Sequence, residues 1–178
     1  MKRALLIACV LLGGIAAPAE GRIYPPGEID LGGSRPSCGW VPATVEDISD
    51  IAISTPGMIH LNPAIFRLPR PLQLFWYAHE CAHQLYGTSE GQADCWAARS
   101  GRDQGWLREE DFVLIEWALA DNRGDSRHQP GPQRAALIRR CFDTDSSQYA
   151  GPRAQGPGLA SYAGGRRRAA ASVSYDEK

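Results

Sequence analysis

Hydrophobic residues between positions 71 and 142 recur at intervals of three and four, the spacing that buries one face of an α-helix. Proline, glycine and polar residues interrupt this pattern and divide it into segments. The sequence therefore predicts four helices, at 71–86, 89–100, 107–120 and 133–142. The tryptophans in or beside these helices are predicted core residues: Trp76, Trp96, Trp106 and Trp117.

Local signals predict where the first two helices begin and end. Pro71 occupies a position that tolerates proline in the first helical turn, and Gly87 favours termination. Ser89 and Gln92 are typical of a capping box that begins the second helix, and Gly101 is predicted to end it. Because a short turn joins the two helices, they are predicted to form a helical hairpin.

The remaining pattern predicts little further regular structure. Two short apolar stretches within 51–61 flank Thr55-Pro56-Gly57 and predict a β-hairpin, while 20–42 is a glycine- and proline-rich irregular segment. The composition of 144–178 cannot bury much apolar surface and predicts a disordered tail. The predicted fold class is mainly α with a small β-hairpin (α+β), in one domain at 20–143.

The first 19 residues have the pattern of an export signal. Lys2 and Arg3 precede an apolar run at 4–17, and Ala17-Pro18-Ala19 fits an A-x-A cleavage site. That run is too short to span a bilayer comfortably, and no later stretch of sequence reaches membrane length. We therefore predict a signal peptide at 1–19 and a periplasmic or secreted protein with no integral membrane segment after signal removal.

Length and charge narrow the class of protein. The chain has 178 residues, enough for one domain with a real core. Its net charge is −1 at pH 7, with no basic surplus of the kind that nucleic-acid binding requires. Nucleic acid is therefore not an expected partner.

Residues 79–83 read His-Glu-Cys-Ala-His, an HExxH motif inside the first predicted helix. Histidines four residues apart are offset by about 40° around a helix and about 6 Å along it, so both imidazoles can reach one metal ion. Glu80 lies about 100° further round, where it can hold and deprotonate a water activated by the metal. The motif predicts a zinc site with His79 and His83 as ligands and Glu80 as the general base of a hydrolytic reaction.

A catalytic zinc needs a third protein ligand and an open position. Glu90 and Asp94 share one face of the second helix, and the turn between the helices puts Glu90 level with His83 and Asp94 level with His79. We predict Glu90 as the third ligand and Asp94 as an acceptor for a histidine N–H. The reverse assignment stays open. A metzincin-type third histidine is excluded, because Ser89 stands where it would fall.

Cysteine usage agrees with export. Of five cysteines, Cys9 lies in the predicted signal, and the four that remain favour two disulfides in an oxidising compartment. Cys81 points about 200° round from His79, nearly opposite the predicted metal face. We therefore expect it to pair with Cys38 or Cys141 rather than with Cys95 across the metal.

HECAH at 79–83 followed by EGQAD at 90–94 resembles the HExxH and ExxAD motifs of gluzincin metallopeptidases. The resemblance is to the family of CAAX prenyl endopeptidases and of periplasmic proteases that tend outer-membrane proteins. Only six residues separate His83 from Glu90, where that family has a much longer insertion, and its membrane helices are missing. The resemblance implies a zincin-like helical hairpin that carries the metal site, in a short soluble form.

A weaker resemblance extends to Ser126-Arg127-His128-Gln129-Pro130 and Arg134. The family often has a Thr-His-Pro string there, followed by an arginine that opens a late helix. The resemblance implies that His128 stabilises the oxyanion of the tetrahedral intermediate and that Arg134 supports the site. Such peptidases also hold an extended substrate against a strand edge, for which residues 58–61 are the candidate.

Together these motifs predict an exported zinc metalloendopeptidase of the gluzincin type, acting on peptide or unfolded-protein substrates. The alternative is a non-catalytic cell-envelope binding protein that zinc and disulfides stabilise. Glu80 favours the enzyme, because a purely structural zinc site does not need it. The sequence gives no indication of the cleavage preference.

Overall fold

The computed structural model describes residues 21–144. The predicted signal peptide at 1–19 lies outside the described residues, and so does the predicted disordered tail apart from Thr144. Within 21–144 the chain forms four α-helices and one four-stranded sheet, a mixed α+β fold as predicted. None of the helices in this range is both long and apolar enough to cross a membrane.

The four helices lie close to their predicted positions. They are α1 (Arg70–Tyr86), α2 (Glu90–Gln104), α3 (Phe112–Leu119) and α4 (Gly131–Asp143). A 3₁₀ turn, Glu109–Asp111, precedes α3 where the sequence predicted α-helix.

Two predictions about α2 are wrong. Within the described part of the chain, Ser89 makes no side-chain capping bond, so the capping box is not formed. The helix also continues past Gly101, where a Cβ would come within 2.6 Å of the Leu107 Cβ and 2.8 Å of the Trp106 ring. Glycine at this position therefore allows the following loop to pack tightly on α2, and it does not end the helix.

The sheet contains more strands than the sequence predicted. Its members are β1 (Ile23–Tyr24), β2 (Ala43–Val45), β3 (Ala52–Thr55) and β4 (Met58–Leu61), in the order β1-β2-β4-β3. The predicted hairpin is confirmed, since β3 and β4 pair antiparallel.

The predicted strand edge is wrong. β2 pairs in parallel with β4, with Thr44 opposite His60, so β4 lies inside the sheet. The exposed edge on the hairpin side is β3. The parallel neighbour directly follows the glycine- and proline-rich segment, and a three-residue strand has too little local pattern to predict that pairing.

Helix α1 lies between two apolar cores. On one side Leu74 and Tyr77 pack with Ile59 and Leu61 of the sheet. On the other side Phe75 and Ala78 belong to a second core, completed by residues of the other helices: Ala97, Ala98, Phe112, Ile115, Leu119 and Ile138. This arrangement holds α1 from both sides and fixes the position of the side chains near its C-terminal end.

One predicted core residue is exposed. Trp117 has 68% of its surface accessible, whereas Phe112, Ile115 and Leu119 on the opposite face of α3 are buried. Only one face of this short, apolar helix packs on the rest of the molecule, and Trp117 lies on the other.

Two disulfides link distant segments. Cys38 pairs with Cys81, with Cα atoms 5.5 Å apart, and ties α1 to the irregular segment between β1 and β2. Cys95 pairs with Cys141, with Cα atoms 5.0 Å apart, and ties α2 to α4. The partner of Cys81 is one of the two predicted, and both bonds fit an oxidising compartment.

Candidate metal centre

The helical hairpin of α1 and α2 brings the HExxH motif and the start of α2 together. The N–H of Gly87 donates to the carbonyl of His83 at 3.0 Å, which closes the last turn of α1. Residues 88 and 89 then reverse the chain, and α2 begins directly at Glu90. Glu90 therefore faces His83 across a turn of three residues.

Three predicted metal-binding side chains converge at one point. Glu90 Oε2 lies 3.1 Å from His79 Nε2 and 3.4 Å from His83 Nε2. The two Nε2 atoms are themselves 3.1 Å apart. One ligand atom from each residue lies within 4.8 Å of the other two.

The second nitrogen of each histidine is already engaged. His83 Nδ1 donates to the carbonyl of Gly87 at 2.6 Å, and His79 Nδ1 lies 2.9 Å from Asp94 Oδ1. These contacts fix the tautomer of each neutral ring with its lone pair on Nε2, the atom that faces the cluster. Two imidazole nitrogens and one carboxylate oxygen are a donor set that suits zinc. The residues present therefore fit this metal.

Asp94 lies outside the cluster and connects it to α4. Arg134 donates to both carboxylate oxygens of Asp94, from Nε at 2.7 Å and from Nη2 at 2.8 Å. The Asp94 and Arg134 side chains are almost fully buried, so each charge depends on the other. Glu90 thus lies in the cluster, and Asp94 lies behind His79.

Sequence reasoning missed the contribution of Trp76. Its ring meets that of His79 edge-on at 6.2 Å, and the Arg134 guanidinium lies 5.3 Å from its centroid. The spacing of Trp76 and His79, three apart on α1, was a signal that could have indicated this contact. Trp76 therefore limits the orientation of both side chains.

The charges of the cluster shift its ionisation strongly. Burial lowers the pKa of His79, but hydrogen bonds to Asp94 and Glu90 outweigh it and raise that pKa to about 9. Burial acts to raise the pKa of Glu90, yet its bonds to His79 and His83 hold it well below the usual range. Protons on the histidines therefore compete with a metal for the same nitrogen atoms.

Glu80 lies beside the ligand cluster and is only 7% exposed. Burial raises the pKa of its carboxyl, and the positive charges of His79 and His83 oppose that rise without cancelling it. A carboxyl group with a raised pKa is a stronger base than an exposed one. Its position and environment are suited to accepting a proton at the centre.

His128 reaches the cluster from the loop between α3 and α4. Its Nε2 lies 3.1 Å from Glu90 Oε2, and its Nδ1 lies 3.0 Å from Asp125 Oδ2. Asp125 Oδ1 also accepts the backbone N–H groups of Arg127 at 2.7 Å and His128 at 2.8 Å. The sequence pointed to His128 but not to Asp125, which orients it; an aspartate two and three residues before these N–H groups is typical of such a turn.

Gly124 is required by the shape of this loop. Its φ is +74°, and a Cβ there would lie 2.7 Å from the carbonyl oxygen of His128. Any other side chain would displace the backbone that carries His128. Beside the cluster, a cleft of about 330 Å³ opens between the start of α2 and this loop, with Ser89, Gln129 and Leu137 among its lining residues.

Comparisons of the chain with protein-family models, with curated proteins and with solved structures give no match. The resemblance to gluzincins therefore depends on the motif residues alone, and it remains a prediction.

Proposed function

We propose that this chain is a zinc-dependent metallopeptidase of the gluzincin type, with a zincin-like helical hairpin. His79, His83 and Glu90 would hold the zinc ion. The observation that carries the proposal is the convergence of their three ligand atoms while both remaining ring nitrogens already donate elsewhere. That pattern is typical of an ordered metal site.

Bound zinc would supply a Lewis acid that polarises the scissile carbonyl and lowers the pKa of a water to about 7. Glu80 takes the proton from the attacking water and passes it to the leaving amine. Asp94 holds His79 in one tautomer, and Arg134 holds Asp94. His128, which Asp125 orients through Nδ1, turns its Nε2–H from Glu90 to the oxyanion of the tetrahedral intermediate.

The alternative is a non-catalytic binding protein in which the metal only stabilises the fold. Two disulfides already tie α1 and α2 to the rest of the chain, so the hairpin has covalent support without a metal. A buried glutamate at position 80 also costs stability and contributes nothing to a structural site. Both observations favour catalysis.

The strand edge that would hold an extended peptide is β3. The N–H of Asn62 donates to the carbonyl of Ile51 at 3.0 Å, so these two residues form a hydrogen-bonded pair. Hydrogen-bonded and non-hydrogen-bonded pairs alternate along an antiparallel ladder. Under that alternation, the main-chain N–H and C=O groups of Ala52 and Ser54 face away from β4. Ala52 is only 5% exposed, so the accessible pair of hydrogen-bonding groups is that of the partly exposed Ser54, which supports a peptide or unfolded protein as the substrate.

The proposed setting is the periplasm or the outside of the cell. The two disulfides fit an oxidising compartment. The predicted signal peptide supplies the route of export, and mass spectrometry of the protein isolated from its host would test the predicted cleavage after Ala19.

The test of the proposal compares the wild type with Glu80→Gln on an unfolded protein substrate, with and without a chelator. We expect the variant to retain one zinc per chain and to lose about 10²–10⁴-fold in turnover, because it cannot accept the proton. Glu110→Gln makes the same change on an exposed side chain and should match the wild type. Equal turnover by wild type and Glu80→Gln, both with stoichiometric zinc, would sink the peptidase proposal and leave the binding protein.

A further inference from the structure

We propose that Gln84 is a positioning residue that sets the distance between the edge strand β3 and the metal centre, and so determines which peptide bond lies at the zinc. This inference rests on the proposed function, because it takes an extended peptide as the substrate. It concerns a residue that directly follows the HExxH motif and that neither motif includes.

The Gln84 side chain uses both ends of its amide on the turn between β3 and β4. Its Oε1 accepts the N–H of Gly57 at 3.0 Å, and its Nε2 donates to the carbonyl of Thr55 at 2.8 Å. The same Nε2 also donates to the Ser54 hydroxyl. One side chain of α1 therefore binds three groups of the hairpin: the Ser54 hydroxyl, the Thr55 carbonyl and the Gly57 N–H.

The position of Gln84 on α1 relates this hairpin to the chemistry. Gln84 follows the metal-binding His83 directly and lies four residues after Glu80, so it shares a helix face with the proposed general base. Ser54, one of its partners, also carries an outward-facing pair of main-chain groups on the β3 edge. A peptide bound along that edge is thus placed, through one amide, relative to Glu80.

The internal structure of the hairpin is held by its main-chain ladder, in which four residue pairs of β3 and β4 lie opposite one another. His60 adds side-chain contacts: its Nε2 and the Thr55 hydroxyl are 2.8 Å apart, and its Nδ1 lies 2.5 Å from Oε1 of Glu46, the residue that follows β2. The hairpin therefore keeps its own shape without Gln84. What Gln84 contributes is its attachment to the metal-bearing helix.

The attachment matters because hydrolysis demands close alignment of the reacting atoms. A shift of about 1 Å in the substrate can cost on the order of 100-fold in rate. Loss of the Gln84 contacts frees the strand edge to slide or tilt against α1 while the zinc ligands stay in place. The expected consequence is weaker binding of extended peptides and cleavage spread over neighbouring bonds, with unchanged zinc affinity.

The experiment uses the full zinc-loaded protein and Gln84→Met, which keeps the length of the side chain and removes its hydrogen bonds. Kinetics are measured on a peptide of about eight residues, long enough to span the four-residue strand, and on one of about three residues. We expect kcat/KM for the long peptide to fall at least about tenfold, with a higher KM and a lower kcat, the short-peptide kinetics to change less than about twofold, and mass spectrometry to detect extra cleavage sites.

Two variants serve as controls. Gln104→Met makes the same change on an exposed position of α2, where the side chain bonds only to Ser100 of its own helix among the described residues. His60→Phe removes the side-chain contacts with Thr55 and Glu46 but leaves the β3–β4 ladder and the attachment to α1 in place. Both should retain the wild-type KM and cleavage pattern.

The outcomes separate this inference from the proposed function. If the wild type hydrolyses the long peptide and Gln84→Met matches it in KM and in cleavage pattern, Gln84 does not position the strand and the peptidase proposal stands. If the wild type hydrolyses neither peptide, the peptidase proposal fails. Fluorescence anisotropy of the labelled long peptide then tests whether the β3 edge binds it and whether that binding depends on Gln84. Binding about tenfold tighter to wild type than to Gln84→Met supports the role of Gln84, and equal or absent binding overturns it.

Discussion

The helices and the loop hold their parts of the metal centre in different ways. His79, Asp94 and Arg134 form a chain of contacts in which each residue is at most 6% exposed. His128 is anchored instead to Asp125, whose side chain is 62% exposed. This chain of helix residues is therefore part of the packed interior, while His128 is held by hydrogen bonds within one surface turn and by its contact with Glu90.

This difference indicates which substitutions affect stability and which affect chemistry. A change in the buried chain leaves a charge without its partner inside the protein, so the fold and the zinc affinity suffer together. A change in the loop leaves the core intact and alters only the orientation of the His128 imidazole. The predictions below test this division.

The largest effect is expected from Arg134→Met in the zinc-free protein. It leaves the Asp94 carboxylate buried without its bidentate partner, which should lower the free energy of unfolding by about 3–5 kcal/mol. Urea denaturation with the disulfides intact measures this. Adding Asp94→Asn to the variant removes the orphaned charge and should restore part of the loss. A loss below about 1 kcal/mol for the single variant would contradict the description of this pair as buried and interdependent.

A smaller effect is expected on zinc affinity from Asp94→Asn alone. Asparagine still accepts the His79 N–H but carries no charge to raise the basicity of the ring, so zinc should bind about 10–100-fold more weakly. Competition with a chromophoric chelator measures the dissociation constant. Asp125→Asn, the corresponding change in the loop, should leave zinc affinity nearly unchanged. Equal losses in the two variants would erase the distinction between helices and loop.

Zinc affinity should also rise with pH. The pKa of His79 is raised to about 9, so below that pH a proton occupies a nitrogen that the metal needs. Each proton that must be displaced weakens binding about tenfold for every unit the pH falls below the pKa. Chelator competition at pH 6, 7 and 8 should therefore give steadily tighter binding. Affinity that is flat across this range would mean that the histidines are neutral before the metal arrives.

The smallest effect on the fold is expected from Asp125→Asn. The exposed carboxylate orients His128 but packs against nothing in the core, so the thermal unfolding midpoint should stay at the wild-type value. Turnover should fall about tenfold, because the amide oxygen stays on the N–H groups of Arg127 and His128 and the NH₂ that replaces Oδ2 cannot accept the Nδ1–H of His128. Asp121→Asn, an exposed aspartate at the start of the same loop, is the control and should change neither quantity. Wild-type turnover in Asp125→Asn would remove His128 from the proposed mechanism.

The same division explains what the sequence could predict. His79, His83, Glu90 and Asp94 lie on helices, where a spacing of three or four residues determines which side chains share a face. Their arrangement followed from the motif and from a short turn. The same geometry limited the expected partner of Cys81 to Cys38 or Cys141, and the partner in the structure is Cys38.

The features that were missed depend on contacts between distant segments. β1 and β2 are two and three residues long, so their pairing carries almost no local pattern, and this led to the wrong edge strand. Gly101 was predicted to end the helix because glycine often does so. Its real role is close packing against Leu107 in the following loop, which the local sequence does not reveal. Gln84 acts through hydrogen bonds to backbone groups 27 and 29 residues away, which any sequence provides and no motif records. Asp125 is the exception, since its bonds to Arg127 and His128 are local and typical of an aspartate turn.

The proposed function depends on zinc binding at His79, His83 and Glu90, with Asp94 behind His79. Anomalous diffraction at the zinc edge, on crystals of the zinc-loaded protein, locates the ion. We expect one zinc peak bonded to both Nε2 atoms and to a Glu90 carboxylate oxygen at about 2.0–2.2 Å, with Asp94 bonded to His79 Nδ1 and Arg134. A peak bonded to Asp94 in place of Glu90, or one located away from the helical hairpin, would contradict this assignment.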